Sequence, residues 1–146
     1  MASNAFSVTQ IDHVEVFVPD RYEAAAWYER VLGLRILRDF ECWATDGGPL
    51  MISSDGGNTI LALCNGTPNG APEPVGHRRV AFRVDAADFH RFLDRMEEVP
   101  VFDAADRQVT PRDVVDHDKA FSIYFCDPYG NRYEVTTYEY GAVAGS

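Results

Sequence analysis

The feature that most constrains this chain is a pattern that begins twice. His13 to Val18 reads HVEVFV, and Arg79 to Val84 reads RVAFRV. At an offset of 66 residues, Val14 meets Val80, Val16 meets Phe82 and Val18 meets Val84. Apolar side chains at every second position mark a strand with one buried face. Each strand leads to an aspartate suited to cap a helix, Asp20 and Asp85,. The first helix is expected over 21–32, with Tyr22, Ala25, Ala26, Trp27 and Val31 on its apolar stripe and Gly33 closing it,. The second is expected over 86–97, with Phe89, Phe92, Leu93 and Met96 buried and Pro100 marking its end. Two copies of one supersecondary unit explain this better than chance alternation.

The remaining segments fit short strands: 34–40, 41–45, 50–53 and 59–64 in the first half, then 101–104, 121–126 and 132–138 in the second. Asp55-Gly56-Gly57-Asn58 and Asp127-Pro128-Tyr129-Gly130-Asn131 supply turns,. Residues 65–76, NGTPNGAPEPVG, are too rich in Pro, Gly and Asn for regular structure and read as a linker,. The expected fold is α+β: two βαβββ modules pairing into a cup-shaped mixed sheet with helices outside. One domain is expected over 1–146, with half one at about 8–64, the linker at about 65–76 and half two at about 77–140. The small, polar stretches 1–7 and 141–146 are expected to fray.

Composition then narrows the function. The formal net charge of -10 repels a phosphate backbone, which argues against nucleic-acid binding,. No apolar run approaches the roughly 20 residues that span a bilayer, and no signal segment opens the chain, so a cytoplasmic location is expected. Cys42, Cys64 and Cys126 are odd in number and lack C-x-x-C spacing, so they read as packed small residues and not as a zinc or disulfide framework,.

Three segments carry a family likeness: DHVEVFVPDRYEAAAWYERVLGLRI from Asp12, RVAFRVDAADFHRFL from Arg79 and YFCDPYGNRYEVTTY from Tyr124. Together they resemble the vicinal oxygen chelate superfamily of glyoxalases, bleomycin-resistance proteins and extradiol dioxygenases, over nearly the whole chain. The D-P-x-G-N-x-x-E ending is specific for the fold but not for a reaction. The resemblance implies a metal that chelates a small oxygen-bearing substrate, and a homodimer. It also implies four ligand positions. His13 and Glu134 match two of them, whereas Ala62 and Arg79 stand at the others.

Strand parity supports a shared site. His13 lies opposite the Val14/Val16/Val18 face, and Glu134 opposite Tyr133 and Val135. Imidazole and carboxylate suit Fe, Mn, Ni, Zn or Co. Arg79 shares the open face but cannot ligate a metal. His77, two residues earlier, has the same parity and could complete a two-His-one-carboxylate triad with His13 and Glu134. The resemblance places acid/base groups at Tyr124 and, displaced by about two residues, at His117. Ser122, Tyr124 and Phe17 are expected to line the site. Residues 103–119 are polar and are expected to hold a short strand and a loop over its mouth.

Two functional readings follow. In the first, His13, His77 and Glu134 hold a divalent metal that polarises a small substrate, with glyoxalase-type or ring-cleaving chemistry. In the second, the chain is a metal-free, drug-sequestering binding protein in which Arg79 pairs with Glu134 and replaces the metal's charge.

Overall fold

The computed structural model describes residues 5–7, 9–66 and 78–145. The chain divides between residues 69 and 70 into two compact units.

The first unit runs β1 (Val14–Val18), α1 (Arg21–Leu32), β2 (Arg35–Ile36), a 3-10 turn (Arg38–Phe40), α2 (Cys42–Thr45), β3 (Leu50–Ser53) and β4 (Ile60–Asn65). Its sheet has the order β1-β4-β3-β2, with β1 parallel to β4 and the other pairs antiparallel. Asp20 starts α1 by accepting from the amides of Tyr22 and Glu23, and Gly33, at φ 69°, ends it,. Ala24, Trp27, Tyr28 and Val31 are buried at i, i+3, i+4 and i+7,. The stripe is therefore turned from the expected one. Ala25 is buried with it, but Tyr22 and Ala26 are exposed, and the Tyr22 hydroxyl donates to Glu41 instead. Val16, Val18, Leu50, Ile52, Leu61 and Leu63 complete this core.

The second unit repeats the βαβββ order: β5 (Arg79–Arg83), α3 (Ala86–Asp94), a 3-10 turn (Pro111–Asp113), β6 (Val115–Asp116), β7 (Phe121–Cys126) and β8 (Arg132–Thr137), followed by α4 (Tyr140–Ala144). Its sheet order, β5-β8-β7-β6, with β5 parallel to β8, is that of the first unit. Phe89, Ile123, Tyr133 and Val135 are buried. The rings of Phe92 and Phe125 lie 5.4 Å apart and those of Phe82 and Tyr133 5.8 Å apart on the same side. These two four-stranded mixed sheets with helices make the α+β class of the chain.

Several expected elements differ. Residues 34–40 and 41–45 do not form two strands. Only Arg35–Ile36 pairs, and the rest coils into 3-10 turn and helix, with Thr45 Oγ1 donating to the Cys42 carbonyl and the Gly48 amide to that of Trp43. Residues 101–104 form only bridges through Phe102. The Asp103 carboxylate accepts from the amides of Ala105 and Arg107 and bends the chain away from any ladder,. Helix α3 stops at Asp94, three residues before the expected end. Residues 140–144, expected partly to fray, form α4. The linker reading for 65–76 falls almost wholly outside the described residues, as does Met1–Asn4.

Candidate functional site

Register partners share a face of a sheet, so the ladders define what the second unit presents on the side away from Tyr133 and Val135. From β5 come Arg79, Ala81 and Arg83. Their partners on β8 are Arg132, Glu134 and Thr136. Those in turn pair with Cys126, Tyr124 and Ser122 on β7. The expected placing of Arg79, Ser122, Tyr124 and Glu134 on one face thus holds within this unit.

Two polar clusters occupy that face. In the first, the Arg79 guanidinium lies 4.7 Å above the centre of the Tyr124 ring, a cation–π contact,. The Tyr124 hydroxyl is 2.9 Å from His117 Nε2, so these two heteroatoms share a proton. In the second, Ser122 Oγ lies 2.8 Å from Glu134 Oε2 and 2.9 Å from Thr136 Oγ1, which also reaches the Phe121 carbonyl at 3.1 Å. Ser122 has one proton to donate. A carboxylate at Glu134 takes that proton, and Thr136 is left to donate to Ser122 or to the Phe121 carbonyl.

Arg79 and Glu134 do not form the ion pair expected of a metal-free site. The register explains it: Glu134 stands beside Ala81, whereas Arg79 stands beside Arg132. A pocket of about 270 Å³ opens there, lined by Arg79, Arg132, Tyr124, Phe125, Cys126 and the loop of Asp103 to Ala105. The loop is tied down. The Arg107 guanidinium meets Asp103 at 3.1 Å and both carboxylate oxygens of Asp113 at 3.1 and 3.2 Å, and Thr110 and Asp113 form a capping box. The backbone amides donating to Asp103, chiefly that of Arg107, hold its carboxyl below its ordinary range.

The first unit presents different chemistry. His13 precedes β1 with Nδ1 2.8 Å from Asp12 Oδ2. Glu15 and the half-buried Phe17 have the same parity on β1, and their partners on β4 are Ala62 and Cys64. The Cys64 thiol, 3.6 Å from Glu15 Oε2, is pushed up to about 11 by burial and then by that contact. Burial also raises the Cys126 thiol. Neither is a thiolate nucleophile at neutral pH. All three cysteines are free, and Cys42 is exposed where packing was expected.

Comparison with known proteins decides the family. Residues 10–135 match the model of the Glyoxalase/Bleomycin resistance protein/Dioxygenase superfamily. The chain belongs to this superfamily. Solved structures with the same fold include oxidase ChaP-H1, at 24% identity, with 92% of this chain and 99% of that one covered and a TM-score of 0.63. A fosfomycin resistance protein, FosX, from Listeria monocytogenes is 13% identical, with 94% and 99% covered and a TM-score of 0.65. Lactoylglutathione lyase from Agrobacterium tumefaciens is 21% identical, with 91% and 96% covered and a TM-score of 0.60. No curated protein sequence matches the chain.

Divalent metals are characteristic of this superfamily. Among the described residues no three of His, Cys, Asp and Glu converge on a possible metal position. Ala62 has no donor atom, and Arg79 carries a permanent cation. His77 lies outside the described residues. The described donor set does not by itself fit a protein-held metal. Among the described residues no helix is long and apolar enough to cross a membrane.

Arg132, Thr136 and Glu15 were not foreseen. Parity alone finds all three, because Arg132 and Thr136 flank Glu134 by two residues and Glu15 follows His13 by two,.

Proposed function

We propose that the protein binds a small, acidic, oxygen-bearing molecule on the open face of its second unit and moves a proton on it. The observation that carries this reading is the line Arg79–Tyr124–His117: a guanidinium 4.7 Å over a phenol ring whose hydroxyl lies 2.9 Å from an imidazole. Arg79 holds the ligand's anionic oxygen, and no carboxylate among the described residues neutralises it first. Tyr124 gives or takes the proton at its hydroxyl, and His117 relays it at Nε2. Ser122 fixes the Glu134 carboxylate, with Thr136 on the far side of the Ser122 hydroxyl. The homodimer expected from the superfamily remains part of this proposal.

The metal-dependent form of the reading, with His13, His77 and Glu134 as ligands, is favoured by one feature. Glu134 is half-buried on the open face and holds one neutral hydroxyl donor, not a cation. The two forms are separated by loading purified protein with Mn, Fe, Co, Ni or Zn and measuring retained metal. Stoichiometric retention lost in His13→Ala and Glu134→Gln supports the metal form. The metal-free form predicts no retention, together with binding of small organic acids that Arg79→Gln abolishes. If Arg79→Gln binds those acids as well as the wild type, the metal-free form fails.

A further inference from the structure

In a chain with 23 acidic and 13 basic residues, carboxylates outnumber the cations that could pair with them. Arg35, Arg38, Arg91 and Arg107 all sit in ion pairs. Arg79 and Arg132 do not: among the described residues neither has a carboxylate partner. They are direct register partners on adjacent parallel strands, on one face, and both line the pocket at the start of β5. Strand spacing puts their backbones roughly 5 Å apart. Like charges placed opposite each other cost stability unless something negative lies between them. Their fields converge on the Cys126 thiol, where each opposes the effect of burial. The carboxylate nearest the pocket, Asp103, is already satisfied by Arg107 and by two backbone amides.

We propose that Arg79 and Arg132 form a two-guanidinium clamp for an oxyanion carrying two negative charges, which deepens the ligand class of the preceding reading and rests on it. Two planar forks side by side can each donate two hydrogen bonds to one such group, and both positive charges are then compensated. A monocarboxylate compensates only one. The Tyr124 ring beneath Arg79 holds that guanidinium in place, and the pocket's 270 Å³ suits a group of this size with a few attached atoms.

The test titrates the full chain with inorganic phosphate and, separately, with acetate at constant ionic strength, following amide resonances and calorimetric heat. Phosphate is expected to bind more tightly than acetate by about tenfold or more, to tighten as pH rises and its second proton leaves, and to shift the amides of residues 79 and 132. Arg79→Gln and Arg132→Gln should each weaken it by about tenfold or more. Equal affinity for both anions, with Arg132→Gln unchanged and Arg79→Gln inactive, would overturn the clamp but leave the single-arginine reading standing. If neither anion binds the wild type, both fall. Unchanged amide spectra of the two variants away from the pocket separate lost binding from lost folding.

Discussion

The two units share one topology and differ on the face each leaves open. β1 and β5 both pair in parallel with the last strand of their unit, and both use alternate apolar residues against a helix. Away from the helix, β1 and β4 present Glu15, Phe17, Ala62 and Cys64, whereas β5, β7 and β8 present Arg79, Arg132, Glu134, Tyr124 and Ser122. The second unit also has a longer stretch between its first helix and third strand. That stretch supplies His117 and the loop pinned by Arg107. The helix-facing side must fill the same space in both copies. The open side has no such requirement, so divergence collects there. The comparison teaches that the repeat encodes the fold and the departures from it encode the site.

This division can be broken most severely from the buried side. Ile123→Ala leaves a cavity in the second unit and should cost about 2–5 kcal/mol in chemical denaturation, whereas Arg79→Ala, on the open face, should change stability by no more than about 0.5 kcal/mol,. Similar costs for the two would erase the distinction between the faces.

Ser122→Ala probes the boundary between them. Ser122 is buried yet serves Glu134 and Thr136, so its loss should cost about 1–2 kcal/mol and release the Glu134 carboxylate,. A neutral result would mean the hydroxyl chain is not made in solution.

Tyr124→Phe keeps the ring under Arg79 but removes the hydroxyl that meets His117. Ligand affinity should fall little, while any proton transfer measured by solvent-proton exchange into the ligand should fall on the order of a hundredfold. An equal loss in both would make Tyr124 a binding group only.

The smallest expected effect lies in the first unit's turn. Asp55 Oδ1 accepts from the amides of Thr59 and Asn58 and from the Ser53 hydroxyl, which holds its carboxyl at about 2 against an ordinary 3.8. A depressed folded value contributes stability that is fully present above the ordinary value and lost as pH falls through the folded one. The amides of Asn58 and Thr59 should therefore keep their positions down to about pH 4 and move between about pH 4 and 2,. Movement already at about pH 5 would contradict this.

The repeat at 66 residues made the two modules, both N-caps and the parity of Glu134, Tyr124 and Ser122 readable in the sequence alone. Parity carried further would also have exposed Arg132. Register was not readable, since alternation says which side a residue faces but not which residue stands beside it. That is why Arg79 was expected against Glu134 and instead stands against Arg132. The segment after β2 misled for another reason. Residues 41–45 can suit strand or helix locally, and the bonds that Thr45 Oγ1 and the Gly48 amide donate to the Cys42 and Trp43 carbonyls go with helix,.

The central claim is that the second unit's open face, through Arg79, is where a small acidic ligand sits. It is tested most directly by mapping amide shifts of the full chain on titration with a small hydroxy acid, in the wild type and in Arg79→Gln. The account predicts perturbations at residues of β5, β7 and β8 around Arg79, Tyr124 and Arg132 that vanish in the variant. Perturbations centred on Glu15, Phe17 and Cys64, or undiminished in Arg79→Gln, would contradict it.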